Sequence, residues 1–391
     1  MMQSILLMAL LFGLQTLTGC QTSQTETYGG GYRKVETPPA KEVRQEMAAT
    51  KARADKDMAV VLTELQGLNP KHIASLSAED ARSQPTPADA VAALLRERNQ
   101  NTAPLSTGKT KDRAIPGPGG TLPIRIYTPE GRGPFPVIVY FHGGGWVIAT
   151  IDTYDSSAWA LAKAARAIVV SVEYRKAPEH KFPAAHEDAY AAYQWVLRNA
   201  ESFGGDPAMV AVAGESAGGN LAAAVCLMAR GRGELLPVHQ ALIYPVAGYD
   251  LNTPSYQENA QAKPLDKSMM VWFFEKYLNN PSDGRNPWID LVNVQDLKGL
   301  PPATIITAEI DPLRSEGERY AERLLQAGVP VTYHNYEGVT HEFFGMGAVV
   351  GDAKKAVRLV ARDMNGSFDD PVLGRYDDRS GRPVPVEPLQ E

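Results

Sequence analysis

"GESAGGN", residues 214 to 220, decides how this chain is read. Ser216 has Gly214 two residues before it and Gly218 two after. A surface loop would also be rich in serine and glycine, so the flanks have to separate the readings. Upstream, Met209 to Ala213 spells MVAVA, a short apolar run that fits a buried parallel strand. Downstream, NLAAAVCLMAR meets no Gly or Pro until Gly231, the pattern of a helix closed by a glycine cap. The serine therefore belongs at a strand-to-helix turn. Such a turn is tight, brings the helix close to the strand, and needs small residues on both sides of its centre. This is the G-x-S-x-G arrangement, in which the hydroxyl stands exposed above the sheet edge. The helix N-terminus behind it favours negative charge. The competing reading is an ordinary strand–loop–helix joint in which Ser216 merely caps the helix.

Composition narrows the function classes. The 391 residues allow one large domain with additions, or two domains. Apolar content of 44% and charged content of 21% are ordinary for a globular protein. A net charge of −6, with no run of Lys and Arg, speaks against nucleic-acid binding. The two cysteines, Cys20 and Cys226, form no CxxC or Cys/His cluster, so no zinc site is suggested and a disulfide framework is excluded. Cys226 falls inside the helix after Ser216 and reads as a small buried apolar residue. No metal or cofactor is expected.

The N-terminal stretch SILLMALLFGLQTLTGC is apolar, too short to span a membrane comfortably, and ends in small residues, so residues 1–19 read as a signal peptide. Its last four residues, Leu17 to Cys20, resemble the lipobox of bacterial lipoproteins, although no Lys or Arg precedes the apolar run. That resemblance implies cleavage before Cys20, lipidation of the cysteine, and a membrane-anchored protein of the bacterial cell envelope. Gln21 lacks an acidic retention signal, which leans the expectation towards the outer membrane. Several acyl chains on one residue make a stable anchor. Residues 20–44 are polar and rich in Gly and Pro, as a tether would be.

Residues 45–109 hold helical patterns broken by GLNP and SQPTP and read as two or three helices packed on something else. From 110 the pattern changes. TLPIRIYTP alternates, and VIVYFH, AIVVSVEY, MVAVAG, ALIYPV, ATIITAE and VPVTYHNYE follow as strand-like runs. Helical patterns lie between and after them, at 185–199, at 317–327 before Gly328, and at 353–364. The alternation predicts an α/β fold with a mostly parallel, doubly wound sheet over 110–364. The segment 250–297, with its aromatic SMMVWFFEKYL, interrupts that alternation and would lie over the strand C-terminal ends. The tail 365–391 is rich in Pro and Asp and is expected to be disordered.

A serine hydroxyl is a weak nucleophile until a base takes its proton, and that base is usually a His oriented by a carboxylate. Asp311 closes the strand ATIITAEID, and His341 follows the strand VPVTYHNYE. Ser216, Asp311 and His341 therefore stand in the chain order Ser, Asp, His, each at a strand end. Acyl transfer also needs hydrogen-bond donors for the oxyanion. His142-Gly143-Gly144-Gly145 follows a strand directly, and three glycines let backbone N–H groups face a substrate. The N–H of Ala217, the residue after the serine, would complete that set. A phosphate-binding loop is the weaker reading, because neither GxGxxG nor GK[ST] is present.

Together these motifs resemble the hormone-sensitive-lipase-like family of α/β hydrolases, the bacterial type IV esterases. The resemblance runs through HGGGW (142–146), YRxAPEHxFPAA (174–185), GxSAGGN (214–220), AExDPLRxEG (308–317) and a His followed by Phe near the end, over roughly residues 50 to 362. It implies an α/β-hydrolase fold with a helical cap formed by the N-terminal helices and the 250–297 insertion. It also implies a Ser216–His341–Asp311 triad with Gly144, Gly145 and Ala217 as oxyanion donors, and hydrolysis of short-acyl esters through an acyl-enzyme. Amide or lactone hydrolysis at the same site is the sibling alternative, and a non-catalytic ligand-binding protein of the same fold the more distant one. The chain departs from the family in having Glu215 before the serine, Lys176 and Lys181 in the supporting loop, and His-Glu-Phe at 341–343 where His-Gly-Phe is usual. Tyr174, Arg175, Glu179, His180, Glu187 and Asp188 read as structural. Trp146, Trp272, Phe273 and Phe274 each read as core before pocket lining.

Overall fold

The computed structural model describes residues 40–102 and 108–370, which belong to one compact unit. Cys20, the signal segment, the tether up to residue 39 and the tail from 371 lie outside the described residues, while residues 40–44, expected as tether, are helical. One eight-stranded sheet organises the unit, in the order β1-β2-β4-β3-β5-β6-β7-β8. A hairpin of β1 (Gly108–Gly117) and β2 (Gly120–Pro129) pairs antiparallel at one edge, and β2 also runs antiparallel to β4 (Ile168–Val172). The rest is parallel: β3 (Phe135–Phe141), β5 (Gly205–Glu215), β6 (Gln240–Ile243), β7 (Ala303–Ile310) and β8 (Val331–Thr340). This is the mostly parallel α/β sheet that the apolar runs predict.

The runs are continuous because both sheet faces are covered. Along β3, Val137, Val139 and Phe141 enter one apolar cluster while Ile138 and Tyr140 enter the other. On the first face lie α6 (Ala184–Asn199), α7 (Ala217–Gly231) and α10 (Arg314–Gln326), through residues such as Tyr193, Leu221 and Leu324. The second face carries α5 (Asp155–Ala165) and α11 (Gly351–Asp369), through Leu161 and Met364.

Further helices lie outside these two layers. They are α1 (Ala40–Arg53), α2 (Lys56–Gly67), α3 (Ala78–Arg82) and α4 (Pro87–Glu97) before the sheet, and α8 (Pro254–Glu258) and α9 (Lys267–Tyr277) between β6 and β7. α4 starts on a capping box, Thr86 accepting from the Asp89 N–H while Asp89 accepts from the Thr86 N–H. The two helical segments are tied to each other across the sequence. Arg53 donates to Asn259 and Glu258, each at 2.8 Å, and the Lys263 N–H donates to the Thr50 hydroxyl at 3.2 Å.

Four local expectations are corrected. The segment before the sheet holds four α-helices, α1 to α4, where two or three were expected, because the breaks at GLNP and SQPTP bracket the short α3 as a helix of its own. The sheet begins at Gly108 with β1, a strand the pattern conceals because nearly all its residues are exposed. The last helix does not stop at 364 but runs to Asp369, drawn on by Ser367 and Phe368, both buried. α7 includes Gly231 as its last residue and is capped by Arg232, and the left-handed glycine is Gly233. Gly328, with φ +82°, follows α10 as a C-terminal stop.

Candidate active site

β3, β5, β7 and β8 are parallel neighbours or near neighbours, so their C-terminal ends open on one side of the sheet. The residues after these ends are His142, Ser216, Asp311 and His341. Ser216 has φ +57° and ψ −118°, a conformation that costs a non-glycine residue on the order of 1–3 kcal/mol. Its backbone is held from three directions. The Ser216 N–H donates to Ile243 O at 2.9 Å, and its carbonyl accepts from Asn220 and Val246, each at 3.1 Å. The flanking glycines answer to close approach. A Cβ on Gly214 would fall 2.1 Å from Gly218 O, and one on Gly218 would fall 2.0 Å from Phe141 O. The Ser216 side chain makes no capping hydrogen bond to α7, which removes the helix-cap reading.

His341 and Asp311 meet. The imidazole Nδ1 lies 2.6 Å from Asp311 Oδ2, while Asp311 Oδ1 accepts from the Leu313 N–H at 2.9 Å. An Nδ1–H donated to the carboxylate leaves Nε2 as the basic nitrogen. Asp311 is fully buried, His341 is 3% exposed and Ser216 5%. Burial works against the charged imidazole. Asp311, by charge and hydrogen bond, then Glu342 and Glu215, outweigh it and hold the pKa above its ordinary value.

Beneath the histidine lies a polar layer that no sequence motif marks. The Tyr140 and Tyr244 hydroxyls both donate to the Glu215 carboxylate. Burial pushes Glu215 up to about 7, opposed by these donors and by Ser157, with Glu342 adding to the rise. The Tyr244 ring stands 4.6 Å from the His341 ring. Tyr140 and Tyr244 sit inside apolar runs, where a tyrosine reads as core.

The glycine loop is braced from behind. Tyr174 Oη donates to His142 O at 2.9 Å and to Gly143 O at 3.1 Å, and its ring stacks on His142 at 4.3 Å. Arg175 is fixed by Asp188, Nε to Oδ2 at 2.9 Å, with Glu187 at 3.7 Å. Glu179 takes a two-pronged contact from Arg82 at 2.9 and 2.6 Å, which holds its pKa near 2. Lys176 bonds to Ala149 O and Glu173, and Lys181 to Leu278 O, so neither is simply solvated. Gly144 and Gly145 both have positive φ, and a Cβ on Gly145 would fall 2.2 Å from the Phe273 ring of α9.

Ser216, His341, Gly144 and Gly145 line one cavity of about 150 Å³. Asp311 stands behind His341, and Ala217 opens α7 directly after Ser216. Apolar walls come from Met47 of α1, Leu65 of α2, Ile73, and Met269, Met270 and Phe273 of α9. Trp146, Trp272 and Phe274 pack in the core instead, Trp146 stacked on Tyr277 at 4.5 Å. One wall is ionic. Lys263 Nζ reaches Glu46 at 2.9 Å and Asp266 at 2.7 Å, and Asp266 reaches His72 Nε2 at 2.8 Å. Burial opposes the charge on Asp266, but His72 and Lys263 hold its carboxyl well below the usual range. These four residues are scattered between 46 and 266, so no local pattern announces them. Cys226 is fully buried in α7, and burial pushes its thiol pKa up.

A family model described as alpha/beta hydrolase fold matches residues 138–345. The chain belongs to the alpha/beta hydrolase fold family. Within that family it is 43% identical over 279 residues to the carboxylesterase NlhH of Mycobacterium tuberculosis, covering 69% of this chain and 88% of the relative. It is 34% identical over 290 residues to an ethyl acetate hydrolase of Pseudomonas putida, covering 73% of this chain and 89% of the relative. An esterase structure from Pyrobaculum calidifontis matches with a TM-score of 0.70 at 38% identity, over 78% of this chain and 96% of that one. This alpha/beta hydrolase is a carboxylic ester hydrolase.

Proposed function

We propose that the chain hydrolyses short-acyl carboxylic esters with Ser216 as nucleophile, His341 as general base and acid, and Asp311 as the group that orients and charges the imidazole. Gly144, Gly145 and Ala217 donate backbone N–H groups to the oxyanion. The observation that carries the reading is the shared cavity. A serine in a strained turn, free of any capping bond, faces the same space as a histidine whose other nitrogen is 2.6 Å from a buried aspartate.

The steps follow from that arrangement. His341 Nε2 removes the Ser216 proton as Oγ attacks the ester carbonyl. Charge gathers on the carbonyl oxygen at the glycine loop and the α7 N-terminus, where fixed donors need no reorganisation. Imidazolium beside Asp311 returns the proton to the leaving alcohol. Water then attacks the acyl carbonyl as His341 takes its proton, and His341 returns that proton to Ser216 Oγ as the second tetrahedral intermediate breaks the acyl–Oγ bond and releases the acid. Short acyl groups fit the size of the cavity, since about 150 Å³ accommodates a benzene-sized group.

Lipidation of Cys20 and anchoring to the bacterial cell envelope, with the outer membrane favoured, complete the proposal. Their support is the Leu17 to Cys20 stretch. Hydrolysis of p-nitrophenyl esters from acetate to palmitate tests the first part, beside Ser216→Ala. A nitrophenol burst on the shorter esters, absent from the variant, is expected. Equal rates in the variant would remove Ser216 from the mechanism. Radiolabelled palmitate incorporated into the wild type and lost in Cys20→Ser tests the anchor.

A further inference from the structure

The residue after His341 is a glutamate held in a conformation suited to glycine. Glu342 has φ +67° and ψ 12°, the left-handed region that glycine enters freely and that a side chain disfavours. Such an outlier points from structure towards use. The side chain is aimed and fixed. Oε1 accepts from Tyr154 Oη at 3.1 Å, and Oε2 has no hydrogen-bond partner among the described residues. Tyr154 is itself buried, its hydroxyl so close to the glycine loop that a Cβ on Gly143 would fall 2.3 Å away. Glu342 lines the cavity beside Ser216 and His341. Of the other charged groups along that cavity, Lys263 is paired with Glu46 and Asp266 and Arg82 with Glu179, while Lys71 stands on its lining as a second charged group.

We propose that Glu342 is a specificity-determining residue. Its free carboxylate oxygen accepts a hydrogen bond from a hydroxyl or ammonium donor carried by the ester. The preferred substrates are then short esters with such a donor on the part that enters the cavity, ahead of plain alkyl esters of the same shape. The inference rests on Ser216 and His341 being the reacting pair. It is physically economical, because a donor brought in beside Ser216 and His341 against the apolar walls would go unsatisfied without an acceptor there.

Two ester pairs matched in shape test it. Methyl 3-hydroxybutanoate against methyl 3-methylbutanoate probes the acyl side, and 2-hydroxyethyl butanoate against propyl butanoate probes the alcohol side. For at least one pair, the ratio of kcat/KM, hydroxy over alkyl, should be about tenfold higher in the wild type than in Glu342→Gly. Glu342→Gln, which keeps an accepting oxygen without the charge, should fall between. Melting temperature separates a packing role, since Glu342→Gly should melt close to the wild type, the relief of the left-handed backbone offsetting the lost acceptor of Tyr154. Equal ratios in wild type and both variants overturn the proposal. So does a shift of the pH–rate profile identical for both members of each pair with their ratio unchanged, because Glu342 would then act through the His341 charge alone. Failure of the underlying reading looks different: Ser216→Ala would still hydrolyse both members, whatever Glu342 does.

Discussion

The strand ends and the helices over them meet at one cavity but are built by opposite means. At the strand ends, backbone decides. Ser216 is set by the turn out of β5, His341 and Asp311 by the last residues of β8 and β7, and Gly144, Gly214 and Gly218 by carbonyls within 2.0–2.3 Å of where a Cβ would be. In the cover, side chains decide. Arg53 to Asn259 and Lys263 to Glu46 span more than two hundred residues of sequence, and each rests on a few polar atoms. Backbone placement is exact about atoms and intolerant of change. Side-chain placement is adjustable, so the cover is where the accepted ester can vary while the reacting groups stay put.

The sharpest break of this contrast is expected at Asp311. Asp311→Asn can keep the bond to the Leu313 N–H, but its amide presents the wrong partner to His341 Nδ1. A fall of about 10⁴ in kcat with little change in melting temperature is expected. Saturating kinetics on p-nitrophenyl butanoate beside a thermal melt give both numbers. A fall below tenfold would mean that another group orients the imidazole.

Next comes Gly218→Ala. One methyl group would press on Phe141 O and His142 O, backbone atoms of β3 and the glycine loop. A loss of about 3 kcal/mol in urea unfolding is expected, with activity falling as the elbow shifts. A midpoint close to wild type would show that the turn has slack.

The pH dependence follows from the charges around His341. With His341 as the proposed general base, which must be neutral to act, kcat/KM should fall as pH drops through the imidazole pKa of the free enzyme. Asp311, Glu342 and Glu215 set that pKa above its ordinary value despite burial, so the acid limb lies higher than for an isolated histidine. Glu215→Gln removes one of these charges and should move the limb to lower pH. An unmoved limb would assign Glu215 a purely structural place under Tyr140 and Tyr244.

The same contrast governs what could be read from the sequence. Ser216, Asp311, His341 and the glycine loop follow apolar runs directly, so motif and strand pattern mark them together. The sheet was legible for the same reason, except β1, whose Lys109, Lys111 and Arg113 leave no apolar face to detect. The polar layer under His341 was not legible, because its tyrosines are disguised by apolar neighbours. The cover was legible only as helices. Its contacts join residues with no local relation, and the positive φ at Glu342, a property of the turn after β8, is signalled only by the glycine usual at that position in the resembling family.

The smallest effect tests whether the two regions are separable. Arg53 and Glu258 are 35% and 45% exposed, and such pairs contribute about 0–1 kcal/mol. Arg53 also holds Asn259, which is buried and donates to Glu309 O at 3.3 Å and Asp311 O at 3.1 Å. Arg53→Ala should therefore loosen α1 over the cavity while Asn259 stays bonded to the end of β7. A loss of under about 1 kcal/mol is expected, with KM rising a few-fold and kcat unchanged, because the wall moves and the reacting groups do not. A kcat that fell as KM rose would carry the disturbance through Asn259 to Asp311. The cover would then be part of the catalytic frame, and the division between backbone-built and side-chain-built regions would end at that asparagine.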